Sequence, residues 1–142
     1  MDKLSALEGD PRVTLRRKGS PDPEGRCVVY WMRRSLRAED NLALEIAIAA
    51  GNFLEKWVLV FFSLVSVSNA NLRHYTFMAE AFADIEEQLR RKNVRFILRH
   101  EPDDSVAGFC AETKAALLVT DENPLRGPEK RLRRVMERLR IP

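Results

Sequence analysis

Cysteine, histidine and glycine are scarce in this chain of 142 residues, with two, two and six copies. Cys27 and Cys110 lack metal-ligand spacing and are too few for a disulfide framework, so they read as reduced, buried thiols of a cytoplasmic protein. His74 and His100 stand alone, which leaves no catalytic or zinc-binding set built on imidazole. The glycines never fall as Gly-x-Gly-x-x-Gly, which argues against an ordinary dinucleotide site. No apolar run approaches the roughly 20 residues that a membrane helix needs. The longest, Trp57 to Val65, suits a buried strand, and the N-terminus lacks the apolar core of a secretory signal.

What is present is the material of one globular domain: 45% hydrophobic and 32% charged residues. At this length folding buries roughly two-thirds of the chain's surface, enough for a core without staples. The net charge of +3 is unevenly spread. From Pro124 to Pro142, seven basic residues oppose Glu129 and Glu137, a local +5 that leaves −2 for the rest. Such a basic helix can face water, another protein surface or nucleic acid.

The pattern along the chain alternates. Residues 1–26 read as an N-terminal arm and linker, with Val13 and Leu15 extended and a turn-rich Gly19–Gly25 stretch. Cys27 to Met32 reads as the first strand and Asn41 to Ala50 as the first helix, with Asp40 as its N-cap and Gly51 as its stop. Trp57 to Phe62 forms the second strand, with Trp31 and Trp57 assigned to the core. The second helix, Leu72 to Arg91, places Leu72, Tyr75, Ala79, Phe82, Ile85 and Leu89 on one apolar stripe. Val94 to Leu98 is the third strand, a helix begins near Ser105, and Ala116 to Thr120 is the fourth strand. A last helix begins at Pro128, with Leu132, Val135, Met136 and Leu139 inward. Alternating β and α elements, with near-continuous apolar strands, give an α/β, Rossmann-like, doubly wound parallel sheet.

Four segments carry a family resemblance. Tyr30-Trp31-Met32-Arg33-Arg34-Ser35-Leu36-Arg37-Ala38-Glu39-Asp40-Asn41-Leu42-Ala43-Leu44 is the first. The others are Asn71-Leu72-Arg73-His74-Tyr75-Thr76-Phe77-Met78, Val94-Arg95-Phe96-Ile97-Leu98 and Leu118-Val119-Thr120-Asp121-Glu122-Asn123-Pro124-Leu125-Arg126. Together, in order and spacing, they resemble the N-terminal α/β domain of the DNA photolyase/cryptochrome family. The likeness is strongest to class II cyclobutane pyrimidine dimer photolyases. The chain departs from the pattern at Ser35, where the family usually has Asp, and at Glu122-Asn123, where an aromatic-Ser pair is common.

The resemblance implies sheet order 3-2-1-4 without the family's fifth strand, and an exposed apolar patch beside the fourth strand that favours self-association. It implies the light-harvesting domain of a deoxyribodipyrimidine photolyase, an enzyme that repairs UV-damaged DNA with light. FAD would belong to a C-terminal helical domain that this chain lacks, so the chain alone would not be an enzyme. An antenna chromophore (8-hydroxy-deazaflavin, flavin or folate) would sit at the topological switch point between the first and fourth strands. The candidate residues there are Met32, Arg33 and Arg34 on one wall, Asp121, Glu122 and Asn123 on the other, and Phe62, Ser63 and Leu64 beside them. No catalytic or metal-binding residue is expected, and no membrane partner. Two alternatives stay open: a stand-alone nucleotide-binding or interaction domain, and a cryptochrome-like photoreceptor domain.

Overall fold

The computed structural model describes residues 3–64, 71–100 and 105–142. Helix α1 (Lys3–Glu8) precedes four βα repeats: β1 (Cys27–Trp31), α2 (Leu42–Leu54), β2 (Trp57–Leu64), α3 (Leu72–Arg91), β3 (Arg95–His100), α4 (Val106–Glu112), β4 (Ala115–Thr120) and α5 (Arg126–Arg138). The sheet has the expected order β3-β2-β1-β4, and all three pairings are parallel. The central strand β1 is buried at every position, because helices cover both faces. Its alternate residues Val28 and Tyr30, with Met32 beyond, join a core under α2 and α3 that includes Leu44, Phe82, Ile85 and Leu89. Cys27, Val29 and Trp31 face the other way, toward Val106, Phe109 and Leu132 of α4 and α5. There the Phe61 and Phe109 rings stack with centroids 4.4 Å apart.

Several boundaries differ from the sequence reading. Asn41, not Asp40, caps α2: its backbone is extended, and its side-chain oxygen accepts the Leu44 N–H at 3.1 Å. Asp40 instead turns the chain with a positive φ of 47°. Gly51 does not stop α2, which continues to Leu54 and ends where Glu55 adopts the left-handed conformation. Gly51 is there for close approach, since a Cβ would lie 2.4 Å from the Val58 side chain. Helix α5 starts at Arg126, so Pro128 sits within its first turn rather than opening it. The arm forms no strand; α1, which has no sequence signal, packs on α2.

Three core assignments fail for one reason. Trp57 is 75% and Leu72 82% exposed, and Ala79 is exposed too. Trp57 opens β2, and the first turns of α3 lie beyond the part of the helix that Phe82, Ile85 and Leu89 seat on the sheet. Periodicity marks a face but not how far along it the partner layer extends.

The outer edge of β4 is partly covered. The Asp22 amide donates to the carbonyl of Ala116 (3.1 Å), while the Arg26 amide, donating to the Lys114 carbonyl (2.7 Å), extends the β1–β4 pairing on the inner side. The Leu118 amide donates to the carbonyl of Pro142 at 2.9 Å, in the short segment that follows α5. Among the described residues the sheet has four strands. Val65, the last residue of the long apolar run, lies outside the described residues.

Candidate functional site

Both β1 and β4 end in polar groups at the carboxyl edge of the sheet, and these meet. Asp121 is buried, and its carboxylate accepts four short hydrogen-bond contacts from three donors. The Tyr30 hydroxyl lies 2.8 and 2.9 Å from its two oxygens. The backbone amides of Arg33 and Arg34 lie 2.9 and 3.1 Å from Oδ2. The Asn41 amide donates to the Tyr30 oxygen (3.1 Å) and to the carbonyls of Ser35 (3.2 Å) and Arg37 (2.9 Å). One buried network thus ties the end of β4, the core of β1, the loop after β1 and the start of α2. Burial, reinforced by the negative charge of Asp121, raises the Tyr30 pKa well above the ordinary phenol range, so Tyr30 is a neutral donor here.

Arg33 closes the same split from above. Its guanidinium lies 4.5 Å from the Trp31 ring centroid and donates to the carbonyls of Asp121 and Pro128. Burial, and then the neighbouring charge of Arg131, lower its pKa. Arg131 reaches in from α5 to donate to Ser63 Oγ at 2.6 Å and lies 5.5 Å from the same ring. The switch point between β1 and β4 is therefore packed with protein groups.

The predicted residues separate accordingly. Met32 is 1% exposed, and its amide donates to the Phe61 carbonyl at 2.9 Å. Phe62 is buried against Phe82, ring centroids 4.9 Å apart, and half-buried Leu64 packs on the same core. Asn123 turns to its own loop and accepts the Leu125 amide at 3.2 Å. Only Arg34, Asp121 and Glu122 border open space: a groove of about 480 Å³ along the outer edge of β4. Its floor is apolar, from Leu42 and Ile46 of α2, Leu117 and Val119 of β4, and Leu132 and Met136 of α5. Residues 12–17 of the arm form its far wall. There Arg16 pairs with Glu122 at 2.8 Å and Glu129 at 2.9 Å.

Sequence reasoning missed Tyr30, Asn41 and Arg16 as contributors. Tyr30 sits in an apolar run and reads as plain core. Asn41 shares its place with Asp40, an equally good cap by residue type. Nothing in the sequence marks Arg16, whose partners lie 106 and 113 positions away. Among the described residues no group of acidic, histidine or cysteine side chains can hold a metal, and no helix is long and apolar enough to cross a membrane.

The model of the DNA photolyase family matches residues 28–141. The chain belongs to the DNA photolyase family. It is 40% identical over 106 residues to the deoxyribodipyrimidine photo-lyase of Methanothermobacter thermautotrophicus, an alignment covering 74% of this chain and 24% of that protein. The Arabidopsis thaliana deoxyribodipyrimidine photo-lyase is 32% identical over 120 residues, covering 81% of this chain and 24% of the relative. Cryptochrome-2 of Gallus gallus is 31% identical over 84 residues, covering 58% of this chain and 14% of the relative. The chain spans about a quarter of the length of the photo-lyases it matches. In fold it is also similar to a universal stress protein from Archaeoglobus fulgidus, with a TM-score of 0.55, 17% identity, and 82% and 95% of the two chains covered. The photolyase-type domain thus uses a common α/β framework, and its function must be sought in its sites.

Proposed function

We propose that this photolyase-type domain is the N-terminal antenna module of a deoxyribodipyrimidine photolyase, and that a planar light-harvesting chromophore sits in the groove beside β4. Family membership carries the first half of the reading: both photo-lyases align to this chain over about a hundred residues or more, and those residues make up about a quarter of each. It disfavours a stand-alone nucleotide-binding protein. In the parent enzyme the helical domain would hold FAD and meet the UV-damaged DNA. The chromophore's chemistry is to absorb light and pass the excitation to that flavin.

The groove supports the second half. Its volume of about 480 Å³ lies within the roughly 300–1,000 Å³ of small-molecule sites, and its apolar floor and charged rim suit a flat ring system with polar edges. Leu42, Ile46 and Val119 would exclude water from the ring faces, and the exposed Arg34 would meet an anionic edge. The Asp121 network would hold Arg34 in place by its backbone. No acid, base or nucleophile is needed, and the Tyr30 phenol is sealed in the core. Between 8-hydroxy-deazaflavin, flavin and folate the choice is made by experiment.

Titration of the purified domain with each of the three, followed by absorbance and fluorescence polarisation, tests this. Saturable binding of one, weakened at least tenfold by Ile46→Trp and left unchanged by Arg131→Gln on the far side of the switch point, is the expected result. Absence of saturable binding by all three up to high micromolar concentration overturns the antenna reading.

A further inference from the structure

Among the described residues, the arm that walls the groove is held differently from the elements around it. Between α1 and β1 it has neither helix nor strand. Its ends are pinned: α1 packs on α2, and the Asp22 amide bonds to the Ala116 carbonyl of β4. Gly25 permits that second anchorage, because a Cβ there would lie 2.6 Å from Ala116. Between the pins, among the described residues, no backbone–backbone hydrogen bond joins residues 14–19 to the rest of the protein. Side chains alone hold this middle part. Arg12 is spent locally on Asp10, at 2.8 Å. Arg17 makes one long contact, 3.4 Å, to the Met136 carbonyl. Among the described residues the firm tie is Arg16, whose guanidinium forks between Glu122 on the β4–α5 loop and Glu129 on α5. This latch is partly in solvent: the Arg16 and Glu122 side chains are 36% and 64% exposed, and that of Glu129 is 19% exposed. Gly19, just beyond it, has a φ of 143° and open space around it, a backbone conformation that L side chains rarely adopt and a natural place for the segment to pivot.

We propose that residues 10–19 are a strap, latched by Arg16 to Glu122 and Glu129, that lifts about Gly19 to admit a ligand to the groove beside β4 and closes over it. The inference rests on the reading of that groove as the ligand seat and adds its gate. A partly exposed ion-pair latch is screened by salt, so the strap opens more at high ionic strength. A segment without ladder hydrogen bonds opens without unfolding the sheet. Glu122, which replaces the family's common aromatic residue, thus anchors the lid rather than stacking on the ring.

Two measurements on the domain test the strap and its gating separately. Cleavage at Lys18 by a lysine-specific endoproteinase reports lifting without any ligand. Arg16→Ala, and Glu129→Gln at a half-buried carboxylate, are each expected to speed it about fivefold at low salt. Raising NaCl from about 20 to about 500 mM should speed it similarly in the wild type and add little in either variant. Stopped-flow binding of 1-anilinonaphthalene-8-sulfonate, a small apolar anion, reports entry to the groove and should accelerate in both variants. Equal cleavage in all three proteins overturns the strap, and equal association rates overturn its role as a gate. A working strap that admits this probe, in a domain that binds none of the three chromophores, overturns the antenna reading and leaves the gate standing.

Discussion

Along its inner edge β4 meets β1 through a parallel ladder, irregular only near its start, and ends in a buried carboxylate with three donors. Along its outer edge it meets the arm and the C-terminal segment through two scattered backbone bonds and a partly exposed guanidinium. The inner side concentrates polar interactions where water is excluded, so each is strong and each is costly to break. The outer side spreads them over solvent, where each is weak and reversible. One strand therefore has a side built for permanence and a side built for access, and a large groove with an apolar floor lies along the second.

The sharpest way to break this contrast is to remove the carboxylate. Asp121→Ala strands the Tyr30 hydroxyl and the Arg33 and Arg34 amides together, and a loss of about 3–5 kcal/mol in urea-denaturation stability is expected. Arg16→Ala, on the outer side, should cost no more than about 1 kcal/mol. Comparable losses from the two substitutions would mean that the edges are not held differently after all.

How much of this was legible in the sequence follows the same division. Strand order, the buried central strand and the seating of Phe82, Ile85 and Leu89 follow from periodicity, alternation and the family resemblance, the first two of which report local burial. Asp121 and Arg34 were legible as carboxyl-end residues, because strand ends are where α/β folds keep their polar groups. That Asp121 would face inward as an acceptor was not, since its donors come from β1 and the loop beyond, nearly ninety positions earlier. Trp57 and Leu72 misled because apolar residues also occur where no second layer reaches them. The groove itself has no signature at all: it is space left between the arm, α2, β4 and α5.

A second test separates neighbours in sequence that the structure gives opposite roles. Asn41→Ala removes the α2 cap and three donated hydrogen bonds within the inner network, and should cost about 2 kcal/mol by thermal or chemical denaturation. Asp40→Ala removes an exposed side chain with no such bonds. Its cost should stay near about 0.5 kcal/mol, mostly from a residue with a positive φ losing the Asp tolerance for that region. Equal losses would return the cap to Asp40.

Salt and alkali should then act on opposite edges. Salt loosens the strap and leaves the inner network alone, because buried pairs are screened little. Alkali does the reverse. Tyr30 has a folded-state pKa raised far above its ordinary 10.0. Below pH 10 the phenol keeps its proton whether folded or not, and its contribution is fully present. Above pH 10 the unfolded chain gives up that proton and the folded chain does not, so stability falls by about 1.4 kcal/mol for each further pH unit. The buried thiols begin the same decline earlier, from their ordinary value of 9.0, with Cys110 pushed up to about 12 by burial. Tyr30→Phe should therefore start lower by about 1 kcal/mol at neutral pH, for the lost bond to Asp121, yet lose stability less steeply than the wild type above pH 10. Parallel curves for the two proteins between pH 10 and 11 would show that Tyr30 titrates as an exposed phenol and that the inner edge admits solvent as the outer one does.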